Sequence, residues 1–208
     1  MPPFPERLLA GYQAFVTERL PTEQSRYREL SQGGQSPESM VIGCCDSRVS
    51  PEVIFDAGPG ELFVARNVAN LVPVYQPDGN AHGVSAALEY AVQVLQVKHI
   101  VVLGHAQCGG VRALLEGAPP AAQDFVAGWM SIAQAARAAA LRCDPADRQQ
   151  ACEHAAIRVT LDNLLTFPWV AEAVEQGHLS LHGGYFDIRH GVLHILTPEG
   201  EFAEAEGD

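Results

Sequence analysis

Apolar positions along this chain follow two rhythms, and their alternation sets the expected fold. Between Pro5 and Leu20, the residues Leu8, Leu9, Tyr12, Phe15, Val16 and Leu20 recur at helical spacing. Pro21 is expected to end that helix, because its ring clashes with the preceding turn and it lacks an N–H. A second helix then runs to Ser31, and together the two make a helical N-terminal arm over residues 1–34. Such an arm packs on a neighbouring surface, of the same chain or of another. Gly33-Gly34-Gln35-Ser36-Pro37 is a turn.

The rhythm then changes. Met40-Val41-Ile42-Gly43-Cys44 is short, apolar and unbroken, as a buried strand should be, and Glu61 to Ala65 is a second. Val84, Ala87, Leu88, Ala91, Val92 and Leu95 share one helical face. His99 to Gly104 is the plainest strand, β-branched throughout its middle, as in a parallel sheet covered on both sides. Val111 to Leu115 predicts a short helix, Phe125 to Leu141 and Ala146 to Leu165 two long alanine-rich ones, and Pro168 to Glu175 another. Leu179 to Gly183 and Gly191 to Leu196 are late strands, with a hairpin around Arg189-His190-Gly191. Strand and helix alternate, so the fold class is α/β, a mainly parallel central sheet flanked by helices.

Neither repeat nor linker divides the 208 residues, which are read as one domain. No apolar run is long enough to span a bilayer. Met1-Pro2-Pro3-Phe4-Pro5-Glu6-Arg7 lacks the basic and apolar regions of a signal peptide, so the protein is placed in the cytoplasm. There, five cysteines serve as thiols or metal ligands more readily than as disulfides. The formal charge of −12 would repel a nucleic acid or an anionic membrane, and neither is expected as a partner. Part of that charge lies in residues 199–208, where Glu199, Glu201, Glu204, Glu206 and Asp208 suggest a frayed, flexible tail.

Two clusters carry candidate chemistry. Cys44-Cys45-Asp46-Ser47-Arg48 follows one predicted strand, and His105-Ala106-Gln107-Cys108 follows another. An α/β sheet keeps its sites just past the C-terminal ends of its strands. Sulfur with imidazole selects zinc over magnesium or calcium, and three ligands leave a catalytic zinc one open position. Neighbours on an extended strand point to opposite sides, so Cys44 and Asp46 share a side and Cys45 is expected to pack in the core. Asp46 then either binds the metal or hydrogen-bonds a water on it, and Arg48 can grip its carboxylate with two prongs. A purely structural zinc would need Asp46 or a distant residue as fourth ligand. Gly109 and Gly110 let the backbone approach closely, and the helix after them presents N–H groups. Cys143 and Cys152 match no ligand spacing and are read as buried in helices. His82, His99, His154, His178, His182, His190 and His194 offer no assignable role.

With these motifs in C-x-D-S-R and H-x-x-C form, the chain resembles a β-class carbonic anhydrase. The likeness extends through Gly60 to Val64, Arg66 to Asn70, Leu88 to Ala91 and Leu179 to Tyr185, covering about Gln35 to Leu196. It implies one Zn²⁺ per chain on Cys44, His105 and Cys108, with Asp46 and Arg48 as the catalytic dyad. The implied reaction is reversible hydration of CO2 to bicarbonate and a proton, by a zinc-bound hydroxide oriented by that dyad. Gln35, Phe63, Val68, Tyr90 and Gly109 would bind substrate, partly across a dimer interface of a homodimer or dimer of dimers. Gln35 stands where the plant-like form of the family has its pocket glutamine. Val41 and Ile42 stand where the other form has the tryptophan of a regulatory bicarbonate site, so the non-regulated form is implied. Closure of Asp46 onto zinc at lower pH stays open. So do a carbon disulfide or carbonyl sulfide hydrolase on the same site, and an inactive zinc-stabilised binding protein.

Overall fold

The unbroken apolar runs form the middle of a six-stranded sheet. The computed structural model describes residues 3–206; Met1, Pro2, Gly207 and Asp208, at the two ends of the N-terminal and tail readings, lie outside the described residues. Strands β1 (Ser39–Cys44), β2 (Leu62–Asn67), β3 (His99–His105) and β4 (Ser180–Asp187) run parallel. Strands β5 (Val192–Leu196) and β6 (Phe202–Glu204) add antiparallel edges, giving the order β2-β1-β3-β4-β5-β6. β5 enters through the expected hairpin: Gly191, at φ 71°, donates its N–H to the Asp187 carbonyl at 2.8 Å.

The N-terminal arm departs from expectation at Pro21. Helix α1 (Glu6–Ala14) passes through a wide π turn (Phe15–Arg19) directly into α2 (Leu20–Gly33). Pro21 falls in the first turn of α2, where its missing N–H costs least, and the widened turn before it makes room for the ring. No residue of α1 or α2 is buried, and Leu8 and Tyr12 stay 58% and 64% exposed. α2 meets the turn before β2, where Arg26 Nε donates to the Pro59 carbonyl at 3.3 Å and a Cβ on Gly60 would stand 2.7 Å from Leu30 Cδ2.

The remaining helices are α3 (Pro51–Ile54), α4 (Gly83–Glu89, continued by a π turn to Leu95), α5 (Gly109–Glu116), α6 (Val126–Met130), α7 (Gln134–Ala140), α8 (Arg148–Leu164) and α9 (Pro168–Glu175). The single helix expected over Phe125 to Leu141 is split by a 3-10 turn at Ser131–Ala133. On one sheet face Met40, Ile42, Ile100 and Val102 pack against Leu88, Ile157, Leu164 and Phe167. The approach is close: a Cβ on Gly104 would stand 2.7 Å from Ile157 Cδ1. A second cluster joins Cys44, Val49 and Cys108 to Leu114, Met130 and Ala136.

The acidic tail is not wholly frayed. Phe202 pairs with Leu196, and its ring lies 4.2 Å from that of His154 on α8. An aromatic with something to bury outweighed the acidic composition around it. Among the described residues no helix is long and apolar enough to cross a membrane.

Candidate metal centre

In the order β2-β1-β3, the chain leaves β1 to one side for β2 and comes to lie on its other side as β3. That reversal opens a crevice beyond the strand ends, the usual position for an α/β site. Cys44 is the last residue of β1, His105 the last of β3, and Cys108 caps α5. Their ligand atoms lie within 4.8 Å of one another, and all three residues are buried. The sulfurs of Cys44 and Cys108 are 3.9 Å apart. A tetrahedral zinc with Zn–S bonds of about 2.3 Å sets its sulfurs about 3.8 Å apart, so the spacing fits.

His105 fits as well. Its Nδ1 is 2.9 Å from the Ala106 carbonyl, which can only accept, so Nδ1 carries the proton and Nε2 keeps a free lone pair. Nε2 is buried and has no hydrogen-bond partner. A buried polar atom without a partner is costly, and a metal ion would relieve that cost. The hydrogen bond shared by the two sulfurs holds Cys44 down to about 4, and the same contact pushes Cys108 up. The pair therefore already favours one thiolate, and against the opposing effect of burial that thiolate and Asp46 push His105 up.

Strand parity places Asp46 as expected. Its Oδ2 is 4.0 Å from His105 Nε2, and Arg48 grips both oxygens, with Nε to Oδ1 at 2.9 Å and an η nitrogen to Oδ2 at 2.7 Å. The Arg48 backbone N–H adds a third bond to Oδ1 at 3.0 Å. Arg48, ahead of every other influence, holds the Asp46 carboxyl well below the usual carboxylate range. Cys45, expected in the core, is exposed instead: β1 has ended, and the Cys45 N–H bonds the Asn67 carbonyl at 2.9 Å. Cys152 is buried in α8, but Cys143 is exposed, because α7 ends before it.

Val68 lies beside the group. A Cβ on Gly110 would be 2.7 Å from Val68 Cγ1 and 3.0 Å from Ala69 Cβ, so α5 starts hard against the loop after β2. Gly109 has open space where a Cβ would stand. The loop itself is pinned: Ala69 (φ 65°) and Asn70 (φ 49°) are buried in the left-handed region, and the Asn67 amide exchanges two bonds with Leu71. A largely apolar cavity of about 670 Å³ opens here, lined by Asn67, Val68, His82, Phe125 and Trp129 among others. None of the three ligand residues lines it.

The other expected pocket residues are elsewhere. Phe63 pairs with Met40 at the start of β1, four positions before Asn67 meets Cys44, or about 13 Å along the strand. It stacks on Tyr90 with ring centroids 6.0 Å apart. Gln35 is exposed and precedes β1. All three occupy the end of the sheet opposite the metal group.

A sequence model of the carbonic anhydrase family matches residues 39–193. A carbonic anhydrase of Pseudomonas aeruginosa is 41% identical over 192 residues, covering 91% of this chain and 86% of that protein. This chain belongs to the β-class carbonic anhydrases. The fold agrees: the β-carbonic anhydrase CcaA superposes with a TM-score of 0.88 at 30% identity, covering 97% of this chain and 92% of that one. A tetrameric β-carbonic anhydrase of Sordaria macrospora gives 0.79 at 29% identity, covering 96% and 98%. The chain is thus of the enzyme class carbonate dehydratase, a lyase.

In this carbonic anhydrase, supporting residues escaped the sequence reading. Arg66 on β2 donates to the carbonyls of Cys44 (2.8 Å) and Asp46 (2.7 Å), fixing the chain where it leaves β1. Glu153 on α8 is buried, and Cys108 N–H donates to it at 2.9 Å. A signal for Glu153 existed: it lies three and four residues before Ala156 and Ile157, on the buried stripe of its helix. None of the other described histidines joins the metal group.

Proposed function

We propose that the chain reversibly hydrates CO2 to bicarbonate at one zinc ion held by Cys44, His105 and Cys108. The observation that carries this is the unpartnered His105 Nε2, buried between two thiols with the clamped Asp46 4.0 Å away. A zinc ion bound there would supply the Lewis acidity that lets a water lose its proton near neutral pH. The chain's own part is orientation. Asp46, kept ionised by Arg48, accepts the hydrogen bond of the attacking water and so turns a lone pair toward the carbon of CO2. Because Arg48 holds both carboxylate oxygens, Asp46 is kept beside the ligand set without joining it, which supports the open, plant-like and non-regulated form. Buried Val41 and Ile42, at the positions where the other form carries tryptophan, support the same form. The Gly109 backbone and the apolar cavity beside Val68 give room for a nonpolar substrate.

Gln35, Phe63 and Tyr90 complete a pocket only if a second copy brings them to this chain's metal group. Their position at the opposite end of the sheet, the exposed arm, and the tetrameric relative support a homodimer or a dimer of dimers. Free cysteines throughout support a reducing, cytoplasmic setting.

Stopped-flow CO2 hydration and zinc content measured on one sample test the proposal. One zinc per chain with fast hydration is expected. Zinc at that ratio without hydration would point to a binding protein, and sulfide release from carbon disulfide without CO2 turnover to a different hydrolase.

A further inference from the structure

The carboxylate of Glu153 lies inside the molecule, 3% exposed, and no lysine or arginine bonds to it among the described residues. Burying a carboxylate costs several kcal/mol unless its hydrogen bonds are well met. Three donors meet it here. Oε1 accepts from the Cys108 backbone N–H at 2.9 Å and from Gln149 Nε2 at 2.7 Å, and Oε2 accepts from the Tyr185 hydroxyl at 2.9 Å. The Gln149 amide also donates to the Cys108 carbonyl at 3.1 Å. One turn of α8 thereby holds both sides of the Cys108 residue. Tyr185, on β4, ties the same carboxylate to the sheet.

We infer that Glu153, with Gln149, is a positioning residue that sets the Cys108 sulfur for metal binding. The inference rests on Cys108 being a zinc ligand. Cys108 lies in the short link between β3 and α5, three residues beyond the strand end. Without the clamp, its sulfur would be placed only by that link. With it, the sulfur is referred to α8, which is anchored by Ile157 against Gly104 of β3, the strand that ends in His105. Two ligands from different segments are then held to one rigid frame, as a three-ligand site requires.

Glu153→Gln tests this, because an amide offers one acceptor oxygen where three donors converge and turns its NH2 against at least one of them. Zinc transfer from the holoenzyme to a chromophoric chelator is followed, with Tyr185→Phe as control, since it removes a donor on the far oxygen and leaves the Cys108 bond intact. Glu153→Gln is expected to release zinc about 10- to 100-fold faster. Its cobalt-substituted form should show a shifted sulfur-to-metal charge-transfer band, and Tyr185→Phe should change neither by more than about threefold. Wild-type release and an unshifted cobalt spectrum in Glu153→Gln would overturn the inference, even if melting temperature fell, because the carboxylate would then be an anchor of α8 alone. If Glu153→Gln does not fold, Gln149→Leu gives the same reading: faster release supports the clamp and unchanged release overturns it. A wild-type chain that binds no zinc overturns the metal assignment itself, a result distinct from both.

Discussion

In the proposed reaction Asp46 acts through its direction, and that direction depends on an acceptor at both carboxylate oxygens. Asp46→Asn puts an NH2 against an Arg48 donor and loses the bidentate grip, while the three metal ligands are untouched. We expect one zinc per chain to be retained and hydration at neutral pH to fall about 10²- to 10³-fold, as for loss of a positioned proton acceptor. Metal analysis beside stopped-flow kinetics checks this; an unchanged rate would remove Asp46 from the mechanism. Cys108→Ser should lose zinc and hydration together. At this scale the sequence was informative. Spacing placed Cys44, His105 and Cys108, and strand parity placed Asp46 on their side. Asp46 lies two residues past the end of β1 and is held on that side by Arg48, whereas Cys45 escapes the expected burial because the strand that would have packed it has ended. Glu153 was missed because its partner is a backbone N–H, and nothing in a sequence marks which N–H a carboxylate will meet.

Among the elements, β6 depends on α8. The His154 ring sits 4.4 Å from that of Tyr185 and 4.2 Å from that of Phe202, and Arg158 stacks over Phe202 at 5.1 Å. Burial first, then the charges of Arg158 and His194, lowers His154 to about 4. Its folded value lies below the ordinary value of about 6.5, so between the two the unfolded chain binds the extra proton and stability rises with pH. The contribution is full above about pH 6.5 and is lost as pH falls toward 4, amounting to about 2 kcal/mol once the solvent screening of a partly exposed ring is taken off. Urea unfolding near neutrality and near pH 4.5 should show this loss, and His154→Leu should lose less over the same interval. Equal losses would mean that His154 is not the titrating group. The element-scale misreadings share a cause. Local propensity predicts a break at Pro21 and a frayed tail, and in both places neighbouring structure decides instead: a π turn absorbs the proline, and a half-buried Phe202 orders the strand.

For the whole molecule, a single chain sets Gln35, Phe63 and Tyr90 at one end of a six-residue strand and its metal group, with Val68 and Gly109, at the other. If chains pair so that each site takes ligands from one copy and Gln35 from the other, two inactive variants should rescue each other. Cys108→Ser keeps Gln35, and Gln35→Ala keeps the metal ligands. Co-expressed chains pairing at random should recover about one quarter of wild-type hydration, since half of the dimers would be mixed and each would hold one complete site. Absence of any recovery would place the pocket within one chain. That division of labour was legible only through resemblance. Residue types and spacing within a chain say nothing of what a second copy contributes.

The left-handed Ala69–Asn70 pair has a thermodynamic consequence. Two buried non-glycine residues persist there only because the Asn67–Leu71 bonds, the start of α5 and the sheet over-determine the backbone. The frame around the ligands is therefore assembled by the core, at a cost met during folding and not when the ion arrives. Metal uptake should then resemble a key entering a cut lock more than a zinc finger condensing around its ion. Chelation at neutral pH should leave the far-ultraviolet circular dichroism unchanged, and added zinc should restore hydration within the mixing time of the metal. Loss of secondary structure on chelation would show instead that zinc takes part in holding the fold.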